Sequence, residues 1–415
     1  MLKRYKNKNL LRVLIDWIRK LLGMFKLNAD KETIKKWVFL SSVVLLYLNY
    51  KKNKRKCKKV FQRNEENLNI LNYLQSSIDS FKPTYYLPSA FFQILFGNRL
   101  FRYSFNYTEQ AIKMEDGGRI LLEWYPENYK EMSDNTPIIV FIPGACGSTN
   151  ENYTLELTAI IKRRNLRLAV CNRRGYGKNL LQSSLFMHRE EPLDMVIVTD
   201  AIAKEFPSAS QYLMGVSAGA NHGTLYMGLT ESNTKVKAFV SISSPFNTGR
   251  ISLYMEDHFY PRMFSSLIAY GFKNVCRRHY KNKYFLDLLK KHKLDTSKLI
   301  KKLKRKSTCW EVDKFLTSKL SSSKDVYDYY NNYASESVIE DIKVPTLFIS
   351  NKEDPICRSH FVPFEKIYRN PNTILLLTQR GGHVEYLSGW KMEWWAFETA
   401  LDYFSYFEKN DVIIK

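Results

Sequence analysis

The sequence predicts an α/β fold: a mostly parallel sheet, covered by helices on both faces and interrupted once by a long helical insertion. Three observations predict it. Short apolar runs alternate with stretches of helical periodicity from residue 119 to 243, and the alternation resumes at 344. Most of the runs are apolar at consecutive positions rather than at every second one, as strands buried on both faces are. Between 244 and 342 the alternation lapses, and helical patterning fills a stretch where a few residues would join two strands.

The N-terminal stretch is unlike the rest. Of the formal net charge of +23, residues 1–63 supply most, with 19 Lys/Arg against 3 Asp/Glu. Residues 10–22 space their apolar side chains for a helix with cations on the opposite face, suited to lying on an anionic leaflet. Residues 37–50 then run without a charge. As a helix they would span about 21 Å of a hydrocarbon core of about 30 Å, so Lys35, Lys36, Lys51 and Lys52 would have to snorkel. Trp37, Tyr47 and Tyr50 suit the two interfaces. The expectation is a single N-terminal membrane anchor; a basic run follows it instead of a signal-peptide cleavage site. Residues 51–65 hold eight Lys/Arg and residues 22–36 hold four, which puts the catalytic domain on the cytoplasmic side.

Taken in order, residues 85–106 are aromatic-rich and are expected to pack across the domain. Residues 119–124 form a strand after the Asp116-Gly117-Gly118 turn, and 137–142 a buried strand. A helix over 152–164, a strand over 166–171 and a helix over 193–206, stopped by Pro207, come next. Strand 211–214, helix 220–227 and strand 235–243 complete the first run. The insertion, about 245–342, reads as helices over 252–272, 284–306 and 309–320, placed where a lid over the strand ends would sit. Residues 273–306 carry 14 Lys/Arg against 2 Asp/Glu. Strands 344–350 and 373–378 return the chain to the sheet. The domain so defined covers 85–408.

Chemistry concentrates at strand ends. Gly215-Val216-Ser217-Ala218-Gly219 lies between a strand and a helix, where a sharp turn lifts a serine Oγ out of the sheet. His383 follows the 373–378 run on a loop, where a general base for Ser217 belongs. Asp354 follows the 344–350 run and can orient the imidazole; Glu353 is the competing acid. The other histidines, at 188, 222, 258, 279, 292 and 360, lack that setting, although His222 lies on the helix that carries the serine. The loop Pro143-Gly144-Ala145-Cys146-Gly147-Ser148 leaves a buried strand, so the backbone N–H groups of Ala145 and Ala218 are the candidates to hold an oxyanion.

These motifs occur together and in order: Pro-Gly-x-x-Gly with Tyr153, Asn172-Arg173-Arg174-Gly175, Gly-Val-Ser-x-Gly, the Asp354 segment and Gly381-Gly382-His383. The set resembles the membrane-anchored branch of the α/β-hydrolase-domain family that contains monoacylglycerol lipase and medium-chain phospholipase members. The resemblance covers about 85–408 and implies an α/β-hydrolase fold, Ser217 as nucleophile, Asp354 as acid, His383 as base and one N-terminal membrane anchor. This sequence departs from the family at Ala145-Cys146, at Ala218 where methionine is common, and at Glu385 where glycine often stands.

The expected function is a serine esterase, a lipase or phospholipase cleaving acylglycerol or phospholipid esters through an acyl-enzyme, with no metal or organic cofactor. The alternative is a non-catalytic lipid- or steroid-binding protein on the same scaffold. Six cysteines without a Cys-x-x-Cys pair or zinc spacing favour a reduced compartment. The basic segments lack any nucleic-acid reading motif, so no nucleic-acid partner is expected. The pair His188 and Asp194, with five residues between, is one residue too long for the acyltransferase signature it approaches.

Overall fold

The buried apolar runs form one nine-stranded sheet in the computed structural model, which describes residues 32–33, 35–37, 39–42, 44, 57–87, 89–97, 103–188, 190–295 and 307–410. The strands are β1 (Lys58–Phe61), β2 (Thr108–Lys113), β3 (Arg119–Tyr125), β4 (Ile138–Ile142), β5 (Arg167–Asn172), β6 (Gln211–Val216), β7 (Val236–Ile242), β8 (Thr346–Asn351) and β9 (Thr373–Thr378). The helices used below are α1 (Glu65–Tyr73), α2 (Gln75–Asp79), α3 (Ala90–Gly97), α4 (Asn152–Arg164), α5 (Asp194–Glu205), α6 (Ala218–Thr230), α7 (Thr248–Asp257), α8 (Phe259–Arg278), α9 (Lys283–Lys291), α10 (Val326–Tyr333), α11 (Phe364–Arg369) and α12 (Trp395–Asn410).

Across the sheet the order is β1-β9-β8-β7-β6-β4-β5-β3-β2. The six central strands, β5 to β9 with β4 among them, pair in parallel. β1, β2 and β3 are antiparallel to their neighbours at the margins. Alternate residues of one strand feed two cores: Ile139 and Phe141 of β4 enter the core under α1, α4 and α12, while Ile138, Val140 and Ile142 enter the one under α5, α6 and α11. Helices therefore cover both faces, and the expected α/β architecture is borne out.

The chain divides into two units, Met1–Arg55 and Lys56–Lys415. The second begins well before residue 85, where the sequence placed it. Lys58–Phe61 pairs antiparallel with Leu377 to Ile374 of β9. α1 and α2 then dock on α12, with Trp395 Nε1 donating to the Ser77 carbonyl at 2.7 Å and Ser77 Oγ donating to Asp402 at 2.5 Å. A four-residue strand inside a basic run carries no period-2 signal of its own; its partner lies over three hundred residues away. In the first unit the described residues are helical. Among the described residues no helix is long and apolar enough to cross a membrane. The span expected over 37–50 lies partly outside them, and the amphipathic helix over 10–22 wholly outside.

The insertion is helical, but its breaks differ from those expected. One helix over 252–272 proves to be two, α7 and α8, with His258 extended between them. Pro261 explains the restart, since a residue without an N–H is tolerated only in a helix's first turn. α9 ends at Lys291, and residues 296–306 lie outside the described ones. The third expected helix is interrupted by a π-turn over Asp313–Thr317. α10 was not foreseen; it starts on the Asp325 carboxylate, which accepts from the N–H groups of Tyr327 and Asp328. Phe285, Leu288 and Leu316 of this part pack with Tyr176 and Phe186 of the segment after β5 in a third core.

Candidate active site

Ser217 sits between β6 and α6 with φ 52° and ψ −123°, a conformation that non-glycine residues rarely adopt. The two flanking glycines make the turn possible. A Cβ on Gly219 would lie 2.2 Å from the Ile142 carbonyl oxygen, and one on Gly215 would lie 2.5 Å from the Gly219 carbonyl oxygen. Only bare backbone lets β4, β6 and α6 approach this closely.

The histidine and the acid arrive from β9 and β8. His383 Nε2 is 2.7 Å from Ser217 Oγ, and His383 Nδ1 is 2.8 Å from Asp354 Oδ2. Asp354 is held in turn, its Oδ1 accepting the N–H groups of Ile356 at 2.8 Å and Cys357 at 2.9 Å. Glu353, the rival acid, instead faces Arg380 at 3.6 Å. Burial alone would depress the His383 pKa; the Asp354 carboxylate outweighs it and holds the imidazole above its ordinary value. His383 thus bridges the other two: Nε2 is placed to take the Ser217 Oγ proton, while the Asp354 carboxylate on Nδ1 holds the ring and stabilises the imidazolium that forms.

The loop carrying the imidazole is tied down from several sides. Ser243 Oγ, at the end of β7, donates to the His383 carbonyl and lies 2.8 Å from Tyr386 Oη. Asn351 Nδ2 donates to the Gly382 carbonyl at 2.9 Å. The Glu385 carboxylate accepts from the N–H groups of His383 at 3.3 Å and Val384 at 3.2 Å, and its burial raises its pKa. These supports were not foreseen. Ser243 and Asn351 act on backbone groups of a loop remote in sequence, and a lone Ser, Asn or Glu announces no such role. Glu385 was visible only as a departure from the family pattern.

Gly144 lies against the nucleophile, since a Cβ there would sit 3.3 Å from Ser217 Cβ. Its N–H already donates to Tyr153 Oη at 3.1 Å, which removes Gly144 from the candidates for an oxyanion. Among the described residues, the N–H groups of Ala145 and Ala218 have no hydrogen-bond acceptor. An open cavity of about 650 Å³ runs from Ala145 and Cys146 to Leu267, Gly271 and Arg278 of α8. A smaller cavity of about 100 Å³ reaches Ala218 from the side of Arg173, His222 and Tyr333. His222 is buried there, its pKa driven well down by burial, and it is packing rather than a base. Asp354, Cys357 and His383 cluster closely enough to suggest a metal site. Asp354 and His383 already spend their facing atoms on each other, and burial pushes the Cys357 thiol well up, so this group does not fit an ion. His188 and Asp194 are 3.8 Å apart, but Arg174 grips Asp194 at 2.6 and 3.0 Å; the pair belongs to a structural ion network.

A family model described as the alpha/beta hydrolase fold matches residues 137–388. The chain belongs to the α/β-hydrolase family. Within it, the chain is 28% identical to phospholipase ABHD3 of Bos taurus over 68% of this chain and 67% of that protein. It is 25% identical to the embryogenesis-associated protein EMB8 of Picea glauca, over 73% of this chain and 67% of that one. With the monoacylglycerol lipase of Saccharomyces cerevisiae it shares 28% identity over 64% of this chain and 57% of the lipase. The family read from the motifs is borne out.

Proposed function

We propose that this member of the family is a carboxylic ester hydrolase whose nucleophile is Ser217, with His383 as general base and Asp354 as the acid that orients it. The observation that carries the reading is the unbroken hydrogen-bonded chain from Asp354 Oδ2 through His383 to Ser217 Oγ. Ser217 Oγ attacks the ester carbonyl carbon while His383 Nε2 takes its proton. The oxygen gains negative charge, and the N–H groups of Ala145 and Ala218 receive it, helped by the positive end of α6 behind the serine. Collapse expels the alcohol, protonated by the imidazolium, and leaves an acyl-serine. Water, deprotonated by His383, repeats the sequence and releases the acid.

The substrate is a lipid ester, an acylglycerol or phospholipid. The names of the relatives support this, as does a cavity of about 650 Å³ beside the loop that would receive the oxyanion. A single N-terminal anchor over 37–50 would hold the enzyme on the cytoplasmic face of a membrane, and the insertion would serve as a lid; the charge distribution supports the anchor and its side. The deciding experiment is labelling with a fluorophosphonate probe followed by a lipid panel. Ser217→Ala should abolish labelling and lower ester turnover by roughly three orders of magnitude or more. An unlabelled wild type would leave the non-catalytic lipid-binding alternative.

A further inference from the structure

α8 presents an outer face that folding leaves uncovered. Phe259, Met263, Leu267 and Tyr270 recur at helical spacing, and they are 84%, 47%, 65% and 47% exposed. Beside them, α3 leaves Phe92 and Phe96 exposed, and the Phe91 and Tyr260 rings, 6.3 Å apart, join the two helices. Large apolar side chains grouped on one surface mark a site of association.

The surroundings of the face identify its partner. α8 turns cationic where its apolar stripe ends: Arg277 lies about five turns after Phe259 and shares its azimuth. Residues 273–295 carry eight Lys/Arg against Asp287 and Asp295. Apolar side chains bordered by cations match the boundary of an anionic lipid layer, acyl chains below and phosphates at the rim. Leu267 decides against a protein partner. It is part of the exposed stripe and also lines the 650 Å³ cavity that Ala145 and Cys146 line. Gly271, one turn on and lining the same cavity, lets the helix approach Cys146, since a Cβ there would meet Cys146 Sγ at 3.2 Å. The cavity mouth therefore opens at the rim of the apolar face, beside the loop proposed to hold the oxyanion. A protein partner there would cover the entrance, whereas a lipid layer would fill it.

We infer that the outer face of α8, with the exposed phenylalanines of α3, is a docking surface for an anionic lipid layer, and that ester substrates pass from that layer into the cavity beside Leu267. The inference rests on the ester-hydrolase reading above, and its test keeps the two apart. The protein and its Phe259→Asp/Met263→Asp variant, in which neither substituted residue lines the cavity, are compared on two substrates: a fluorogenic acylglycerol in phosphatidylcholine vesicles with roughly 30% phosphatidylserine, and a soluble short-chain ester. The expected result is a loss of about tenfold or more on vesicles, with soluble turnover and fluorophosphonate labelling within about twofold of wild type. The milder Phe259→Ala/Met263→Ala variant should give an intermediate loss on vesicles alone. Wild-type vesicle turnover should rise with phosphatidylserine and fall with salt. Vesicle turnover that survives both double substitutions overturns the docking surface. So does an equal loss on both substrates, or a concentration-dependent dimer of the wild type that the aspartates dissolve, since the face would then belong to the fold or to a second copy. A wild type that takes no fluorophosphonate overturns the hydrolase reading instead.

Discussion

Asp354 and Glu353 are adjacent in sequence and chemically alike, and their surroundings assign them different work. Asp354 is buried, held by two backbone N–H groups and turned to His383 Nδ1; Glu353 is half-buried and faces Arg380. Asp354→Asn should preserve the fold and lower kcat by roughly three to four orders of magnitude, through loss of the oriented imidazole, whereas Glu353→Gln should change it little. Steady-state kinetics on a soluble ester would check both, and the reverse order of effects would assign the acid to Glu353. The pH profile follows from the same contact. Catalysis needs the neutral imidazole, and its pKa is raised above the ordinary 6.5, so the acid limb of kcat/KM should lie alkaline of 6.5. The ionic pair's contribution to stability runs the other way. It is fully present below the unfolded imidazole pKa and fades as pH rises through the raised folded value.

The site is assembled from strand ends, so its precision depends on how closely neighbouring elements pack. Gly219 shows this most sharply: a methyl there would meet two carbonyl oxygens, those of Ile142 at 2.2 Å and Pro143 at 2.4 Å, and neither belongs to a flexible side chain. Gly219→Ala should therefore push α6 away from β4, lower stability by about 1–3 kcal/mol or more, and displace Ser217 from His383. Urea unfolding and fluorophosphonate labelling rates would measure the two effects, and a fully stable, fully reactive variant would contradict the argument. This element was legible in the sequence because Gly-x-Ser-x-Gly between a strand and a helix has one good physical explanation. α10 was harder to read. Its Asp325 cap is a clear signal, but the body is Tyr and Asn, which pattern weakly; the helix forms by packing Tyr330 against the insertion and bonding it to Ser252 and Asp313.

At the scale of the whole molecule the central strands were legible, since six strands buried on both faces write their position as largely apolar runs, broken by a charge only at Arg167 and Lys237. The margins were not. β1 is four residues of which two are lysines, and β2 is TEQAIK, so each is a strand by virtue of its neighbour rather than its composition. The catalytic unit therefore extends to Lys56. A chain beginning at Lys56 should fold and label with a fluorophosphonate as the full chain does. One beginning at Phe81 loses β1, α1 and α2, together with the bonds from Ser77 to α12, and should melt several degrees lower. Thermal denaturation of the two proteins would decide it; equal melting temperatures would make residues 56–80 ornamental.

β1 also determines how these molecules behave towards one another. β9 is TILLLT, uncharged and buried at all six positions, and it has β8 on one side and β1 on the other. Without β1 its outer N–H and C=O groups would form an open, apolar edge able to pair with the same edge of another molecule. Cleavage in Gln62-Arg63-Asn64, between β1 and α1, would free the strand to leave while Asp354, His383 and Ser217 stayed in place. Such a nicked enzyme would keep its chemistry at first and lose its solubility, so light scattering would rise before activity fell.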